Sequence, residues 1–265
     1  MIFLKLGGSL ITDKTHENSV RWEVLKRLAR EIAQALDDPR VQSKIPVLIG
    51  HGSGSFGHAA AKKYGTRNGV HDAAGWRGFA DVSVAALRLN RIVADALHEA
   101  GVPVISVPPS ASVLCAEGVI QHMNIDLIKA CLTGGVVPLV MGDVAIDTVR
   151  GGTIVSTEEV FAYLAQHFPV QRVLLAGETE GVYKNFDQHD SPIIQNITLT
   201  RWETIRTGVG ASRGADVTGG MASKVRDMLA LVQAQPTLSI QIFSGLVEGN
   251  VARAMAGEVI GTLVS

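Results

Sequence analysis

The apolar residues of this chain follow two alternating patterns. Short runs rich in β-branched residues predict buried strands. Between these runs, apolar residues recur every three or four positions over longer stretches, which is typical of helices with one face against a core. The predicted strands are Ile2–Leu6, Val47–Ile49, Val104–Val107, Val136–Met141, Arg172–Leu175, Ser239–Phe243 and Val259–Leu263.

The helical patterns carry recognisable starts and ends. The longest runs from Ala73 to Ala100, and Gly101-Val-Pro103 is typical of a helix end. Ser156-x-x-Glu159 and Thr200-x-x-Glu203 have the spacing of capping boxes, so they predict the first turns of two further helices. An earlier helix is predicted from the apolar positions Val24, Leu25, Leu28, Ile32 and Leu36.

Strands that are buried on both faces and separated by helices predict an α/β protein. We expect a three-layer α/β/α sandwich with a mostly parallel central sheet. Arg150-Gly-Gly152 is typical of a hairpin turn and would join Val144–Thr148 to Thr153–Val155. We expect a single domain over residues 1–265, with an acceptor-binding lobe at about 1–169 and a nucleotide-binding lobe at about 170–265.

Composition and charge exclude several classes of partner. Hydrophobic residues make up 46% of the chain and charged residues 18%, with a net charge of −1 and no basic stripe. We therefore expect neither nucleic-acid nor membrane partners. The N-terminal run MIFLKLGGSLIT lacks a basic segment and a cleavage site, so it predicts a strand and not a signal peptide. Cys115 and Cys131 form no C-x-x-C pair, which favours a reduced, cytoplasmic protein.

Glycine-rich turns between a strand and a helix recur at residues 5–9, 50–58 and 218–224. Glycine lets the backbone approach a phosphate, and free N–H groups at a helix start bind anions. One such turn is weak evidence, but three in one chain, two of them with a lysine, indicate a polyphosphate held at several places. The chain has no G-x-x-x-x-G-K-[ST] motif, which excludes a P-loop nucleoside triphosphatase.

The second turn also matches the dinucleotide fingerprint, as Gly52-x-Gly54-x-x-Gly57. A fingerprint of that kind normally opens the first βαβ unit and is followed by an acidic residue at the end of the next strand. Here the turn follows the second predicted strand, and the nearby acids Asp72 and Asp81 lie in or beside a helix. An NAD-dependent oxidoreductase is therefore the weaker alternative.

The motifs KLGGSLITDK (5–14), HGSGSFGH (51–58), VPLVMGDVAID (137–147) and DVTGGMASK (216–224) resemble the amino acid kinase family over essentially the whole chain. Within that family they are most similar to the kinases that act on isopentenyl phosphate. The resemblance implies ATP-dependent phosphorylation of isopentenyl phosphate to isopentenyl diphosphate, with Mg²⁺ as a cofactor and a homodimer as the assembly. The chain departs from the family pattern at Ser53, Glu158, Glu178 and Glu180.

A phosphate monoester has a second pKa of about 6, so such an acceptor is already an anionic nucleophile and needs no general base. The protein then has to position two polyanions and neutralise their charge. By resemblance, the catalytic residues are Lys5, Lys14, His58 and Lys224. The nucleotide would be bound by Lys5, Gly7, Gly8, Ser9, Gly54, Glu178, Tyr183, Gly220 and Lys224. The acceptor would be bound by Ser53, Gly54, His58, Phe79, Val82, Ala86 and Gly152.

Several alternatives remain open at this point. Phe79, Val82 and Ala86 form a helical stripe of a kind that is more often core than binding site. Asp143 and Asp147 would either orient a lysine or a Mg²⁺-bound water, or only shape the hairpin. His51 is expected to anchor the second turn by hydrogen bonding. The same chemistry on fosfomycin, and a nucleotide sensor without catalysis, are the alternative functions; the metal ligands stay unassigned.

Overall fold

A computed structural model describes residues 1–13, 15–42, 45–184, 191–205 and 220–265, with only the backbone at 42, 58–60 and 220. The strands are β1 (Ile2–Leu6), β2 (Val47–His51), β3 (Val104–Ser106), β4 (Val113–Ala116), β5 (Val119–Met123), β6 (Val137–Met141), β7 (Asp143–Asp147), β8 (Gly151–Val155), β9 (Arg172–Gly177), β10 (Asn196–Ile197), β11 (Ser239–Ser244) and β12 (Thr262–Val264).

The α-helices are α1 (Gly8–Ile11), α2 (Trp22–Asp37), α3 (Pro39–Gln42), α4 (His58–Tyr64), α5 (Ala73–Glu99), α6 (Pro109–Ser112), α7 (Ile125–Thr133), α8 (Thr157–Ala165), α9 (Leu199–Ile205), α10 (Gly220–Ala234) and α11 (Asn250–Met255). A 3-10 turn spans Thr66–Asn68. No helix in the described part of the chain is both long and apolar enough to cross a membrane.

The main sheet has the strand order β10-β12-β11-β9-β1-β2-β6-β3. β1 lies at its centre, where Ile2 is paired in parallel with Val47 of β2 and with Arg172 of β9. The pairing is parallel except between β11 and β12. Because carboxyl ends of parallel strands meet at one edge, the loops after β1, β2 and β9 lie side by side. The predicted mostly parallel α/β sheet is confirmed.

Helices cover both faces of this sheet. Phe3 of β1 points to one face, where its ring centroid lies 4.9 Å from that of Phe161 of α8. Leu4 points to the other face and belongs to a core cluster with Leu28 of α2 and Val93 of α5. These two buried clusters make the sheet the middle layer of an α/β/α sandwich, as the sequence predicts.

A second, four-stranded sheet has the order β5-β4-β7-β8. Asp147 at the end of β7 shapes it, because its carboxylate accepts the N–H groups of Glu117 and Gly118 in one turn and of Val149 and Arg150 in another. The predicted hairpin exists, but its turn is Thr148–Arg150 and not Arg150–Gly152. The Asp147 carboxylate forms the turn just before the glycines, because it accepts the N–H groups of Val149 and Arg150. Of the two roles considered for Asp147, this geometry favours the shaping of the hairpin.

Two other predicted boundaries are wrong. α9 begins at Leu199 and is capped two residues before the predicted Thr200, since the Thr198 hydroxyl accepts the N–H of Arg201 at 3.3 Å. This phase turns Trp202 of α9 into the core. The last strand begins at Thr262 and not at Val259, because Gly261 has a φ of 74° that interrupts extended backbone. The predicted capping box of Ser156 and Glu159 at α8 is confirmed.

Two glycine loops cross backbone to backbone after β1 and β2. A Cβ on Gly8 would lie 2.6 Å from the Cα of Gly54, and one on Gly52 would lie 2.8 Å from the nitrogen of Gly8. The Thr12 hydroxyl locks the crossing, since it donates to the Gly8 carbonyl at 2.7 Å and accepts the Ser55 N–H at 2.9 Å. Only glycine allows this approach.

Replacing Gly8 with alanine should therefore force the two loops apart. We expect the free energy of unfolding to fall by roughly 1–3 kcal/mol, as for other overpacked sites. Urea titration of Gly8→Ala beside Gly177→Ala provides the measurement, because a Cβ at Gly177 would meet nothing within 4 Å. Equal stabilities of the two variants would contradict the crossing as a packing constraint.

Candidate active site

The crossed loops form one wall of a cavity of about 510 Å³ at the carboxyl ends of β1, β2 and β9. Residues from the first half of the chain meet residues from α10 and from the loop after β9. The predicted site residues that line it are Lys5, Gly7, Gly8, Ser9, Ser53, Gly54, Val82, Ala86, Glu178 and Lys224.

The charged centre of the cavity is formed by Lys5, Glu158 and Lys224. Lys5 is only 8% exposed at the end of β1 and pairs with the Glu158 carboxylate in the first turn of α8. Burial raises the pKa of Glu158, but the positive charges of Lys5 and Lys224 outweigh it and hold that pKa below its usual value. A carboxylate between two ammonium groups keeps both lysines directed at one place in the cavity.

The backbone donors of the first loop are not all available to a ligand. The N–H of Gly7 donates to the Ala176 carbonyl at 2.8 Å and extends the β1–β9 ladder, so this N–H is already used within the protein, although Gly7 lines the cavity. Gly8 and Ser9 begin α1, and within the described residues no backbone carbonyl accepts their N–H groups. These two groups can donate to an anion in the cavity.

His51, at the end of β2, anchors the second loop as expected. Its Nδ1 donates to the Gly52 carbonyl at 3.1 Å, and its Nε2 accepts from the Asn90 amide of α5 at 3.1 Å. Burial lowers the pKa of His51 to about 4; the bond to Gly52 opposes this shift, and the charge of Lys5 adds to it. The ring is therefore neutral and serves as a support for the loop.

Two further carboxylates face the cavity. Glu178, after β9, forms an ion pair with Arg21 at 2.8 Å. Asp143, at the start of β7, is buried and accepts the N–H groups of Ser110 at 3.1 Å and Val144 at 2.8 Å. Burial raises the pKa of Asp143, and these hydrogen bonds only partly offset the rise. Unlike Asp147, it remains a candidate to orient a cation.

Helix α5 contributes two apolar side chains to the cavity lining. Val82 and Ala86 line the cavity and belong to neither of the two large core clusters. Phe79 does not line it, because its ring packs where a side chain on Gly152 would lie, with a Cβ there 2.7 Å from the ring. Gly152 thus accommodates Phe79, and Tyr183 pairs with Ile193 away from the lining. The geometry gives no support to ligand contacts by these three residues.

Of the predicted site residues, three lie outside the described residues or have only their backbone described. Lys14 is outside the described residues. His58 begins α4 after Gly57, whose φ is 77°, but the His58 side chain is not among those described. Gly220 begins α10 and likewise has only its backbone described. Their assigned roles stay predictions from sequence.

Comparison with known proteins agrees with this geometry. A model of the amino acid kinase family matches residues 1–244. The chain belongs to the amino acid kinase family. It is 33% identical to the isopentenyl phosphate kinase of Methanocaldococcus jannaschii, over 99% of this chain and 97% of that protein. It is 34% identical to the isopentenyl phosphate kinase of Methanothermobacter thermautotrophicus, over 100% and 99%.

Solved structures give the same result. An X-ray structure of an isopentenyl phosphate kinase superimposes with a TM-score of 0.83 at 32% identity, and the whole of both chains is covered. Membership of this kinase family supports the phosphate-binding interpretation of residues 50–58 over the dinucleotide one.

Several lining residues have little or no signal in the sequence. Glu158 stood out only as a departure from the family pattern, although its place in the first turn of a capped helix indicates a fixed side chain. Thr157, which donates to the His51 carbonyl at 2.6 Å, carries no motif. Lys62, Arg67 and Asn68 also line the cavity, but nothing local in the sequence distinguishes them from surface residues.

The buried His51 predicts a dependence of stability on pH. Its pKa is about 4 in the folded protein and about 6.5 in the unfolded chain, so between these values only the unfolded chain binds the proton. The contribution of neutral His51 to the free energy of unfolding is therefore fully present above pH 6.5 and is lost as pH falls through 4. The expected loss is roughly 2–4 kcal/mol. Urea unfolding of wild type and His51→Gln at several pH values should give curves that converge on acidification; parallel curves would contradict the assignment.

Proposed function

We propose that this kinase transfers the γ-phosphoryl group of ATP to isopentenyl phosphate and so forms isopentenyl diphosphate. One observation supports it above the others. The cavity lining combines two lysines and free backbone N–H groups with the small apolar side chains of Val82 and Ala86. A short isoprenyl phosphate likewise combines a charged head with an apolar tail, and the full-length relatives carry this activity in their names.

The transfer needs one new P–O bond and the loss of another. An oxygen of the acceptor phosphate attacks the γ-phosphorus, the bond from the γ-phosphorus to the bridging oxygen breaks, and ADP leaves with that electron pair. Lys5 and Lys224 offset the charge of the transferring group, and the N–H groups of Gly8 and Ser9 add fixed donors. Glu158 orients Lys5 before the substrates arrive. His58 would donate to the acceptor phosphate, as the sequence motif implies.

ATP is the phosphoryl donor that the kinase family implies, and Mg²⁺ is part of the proposal. When bound, Mg²⁺ would neutralise charge on the nucleotide phosphates, and it usually keeps several waters and few protein ligands. The carboxylates of Glu178 and Asp143 in the lining are the residues of this chain that fit such an ion. Among the described residues, no three histidine, cysteine or acidic side chains form a tighter metal cluster.

We also propose a homodimer and a cytoplasmic location. Val84 and Leu87 of α5 are half-exposed on adjacent turns, and α5 packs against β7. On that small sheet, exposed Leu114 lies opposite exposed Ile146. Exposed apolar side chains of this kind are suited to contacts with a second copy of the chain.

The direct test of the function is ADP release with a panel of acceptors. Purified protein with Mg²⁺ and ATP should turn over isopentenyl phosphate roughly a hundredfold more efficiently than dimethylallyl phosphate, fosfomycin, glutamate or carbamate. Preference for fosfomycin would move the assignment to another acceptor with the same chemistry. ATP binding without turnover of any acceptor would instead favour a nucleotide sensor.

A larger apolar side chain in the cavity lining should change the KM of one substrate and not of the other. In Ala86→Leu the longer side chain would occupy space for the acceptor tail, so the KM for isopentenyl phosphate should rise roughly tenfold while the KM for ATP stays constant. Ala80→Leu is the matched control, because Ala80 lies on the same helix but is exposed and outside the lining. If both variants kept wild-type kinetics, Ala86 would belong to the core and not to the acceptor site.

A further inference from the structure

Arg67 joins two distant parts of the cavity wall. It lies in the 3-10 turn Thr66–Asn68, just after α4, and lines the cavity. Its Nη2 donates to Glu159 of α8 at 2.9 Å, and its Nη1 donates to the Ile154 carbonyl of β8 at 3.3 Å. Its own carbonyl accepts the Thr153 hydroxyl at 3.1 Å. Three hydrogen bonds thus attach one residue to β8 and to the first turn of α8.

Other groups in this turn do not replace these bonds. The Thr66 hydroxyl is buried and has no hydrogen-bond partner among the described residues. The N–H groups of Asn68 and Gly69 are used within the turn, by Gly65 and Thr66. The side chain of Arg67 is therefore the main link from this segment to α8.

Glu159 uses its two carboxylate oxygens for different tasks. Oε2 accepts the N–H of Ser156 at 2.5 Å, and the Ser156 hydroxyl accepts the N–H of Glu159 at 3.1 Å, which completes the capping box. Oε1 receives Arg67. The carboxylate that fixes the first turn of α8 is thus itself held by Arg67.

Glu158, the neighbour of Glu159, lines the cavity. Glu158 lies in the same capped turn and pairs with Lys5 in the cavity. A rotation or slide of this turn would carry Glu158 away from Lys5, and errors of about 1 Å in such positions cost large factors in rate. Arg67 can therefore affect the reacting groups without touching them.

We propose that Arg67 is a positioning residue: through Glu159 it holds the first turn of α8, and with it the Lys5–Glu158 pair, in place beside the glycine loop after β2. This inference rests on the proposed phosphoryl transfer for its kinetic consequence. The Arg67–Glu159 pair is about one third exposed on each side, so its contribution to global stability is small. Its effect should appear in the rate and in local order at the start of α8.

The test is a double-mutant cycle of Arg67→Met and Glu159→Gln. Each variant should lower kcat roughly tenfold to a hundredfold, with KM for ATP and for isopentenyl phosphate changed by less than about threefold. Because both residues act through one contact, the double variant should be no slower than the slower single one. Arg67→Lys keeps the ion pair with Glu159 and should recover most of the rate.

Arg40→Met is the matched control. It removes another arginine–carboxylate pair, with Asp38, before β2 and away from the cavity lining. It should keep wild-type kcat, and all variants should melt within about 3 °C of wild type. A higher acceptor KM in Arg67→Met, together with a normal kcat in Glu159→Gln, would overturn the proposal in favour of direct acceptor binding by Arg67. Multiplicative losses of rate in the double variant would also overturn it.

Amide hydrogen exchange gives a readout that is independent of substrate. Faster exchange over residues 156–160 in Arg67→Met and in Glu159→Gln, but not in Arg40→Met, is expected. Unchanged exchange in Arg67→Met would overturn the positioning role even if the wild-type protein used a different acceptor. Wild-type protein without turnover of isopentenyl phosphate, but with the expected exchange pattern, would remove the proposed acceptor and leave the attachment by Arg67 standing.

Discussion

The site depends on the close crossing of two glycine loops after the two central strands. Gly8 of the first loop meets Gly52 and Gly54 of the second with no side chain between them, and the Thr12 hydroxyl joins the two backbones. Since this wall of the cavity is backbone, the N–H groups of Gly8 and Ser9 can reach a phosphate that side chains would otherwise hold at a distance. The parallel pairing of β1 with β2 and β9 then brings Lys5, the glycine loop after β2 and Glu178 to the same edge.

A buried lysine on such an edge needs a counter-charge before any substrate binds. Glu158 supplies it from the first turn of α8, and Lys224 approaches the same carboxylate from α10. The two ammonium groups would repel each other without that carboxylate. With it, they are held in position to offset the negative charge of the transferring phosphoryl group. This explains why the start of α8 is capped so completely, by Ser156 and Glu159 within the helix and by Arg67 from outside it.

The sequence predicted the parts of the molecule that depend on local signals. Buried strands, the Ser156–Glu159 capping box and the glycine turns all follow from neighbouring residues, and the structure has them. The small sheet was largely missed because Leu114 is exposed and the β4–β5 turn places Glu117 at a φ of 54°, which a sequence pattern does not suggest. Asp147, far along the chain, stabilises that turn. The packing role of Gly152 has no local signal either, since the ring of Phe79 that fills its space comes from a distant helix.

In the long helix α5, the pattern of apolar residues cannot distinguish cavity lining from core. Val82 and Ala86 face the cavity, whereas Leu89, Val93 and Leu97 continue the same stripe into the core below the sheet. Both parts need small or branched apolar side chains on one side of a helix, so their pattern is the same. What separates them is the position at which the cavity ends. His51 is bonded to Asn90 of α5, one residue after Leu89, and to the carbonyl of Gly52 in the glycine loop after β2. The helix that supplies Val82 and Ala86 to the cavity lining is thereby attached to the loop that forms another part of the wall, so the positions of the two are fixed together.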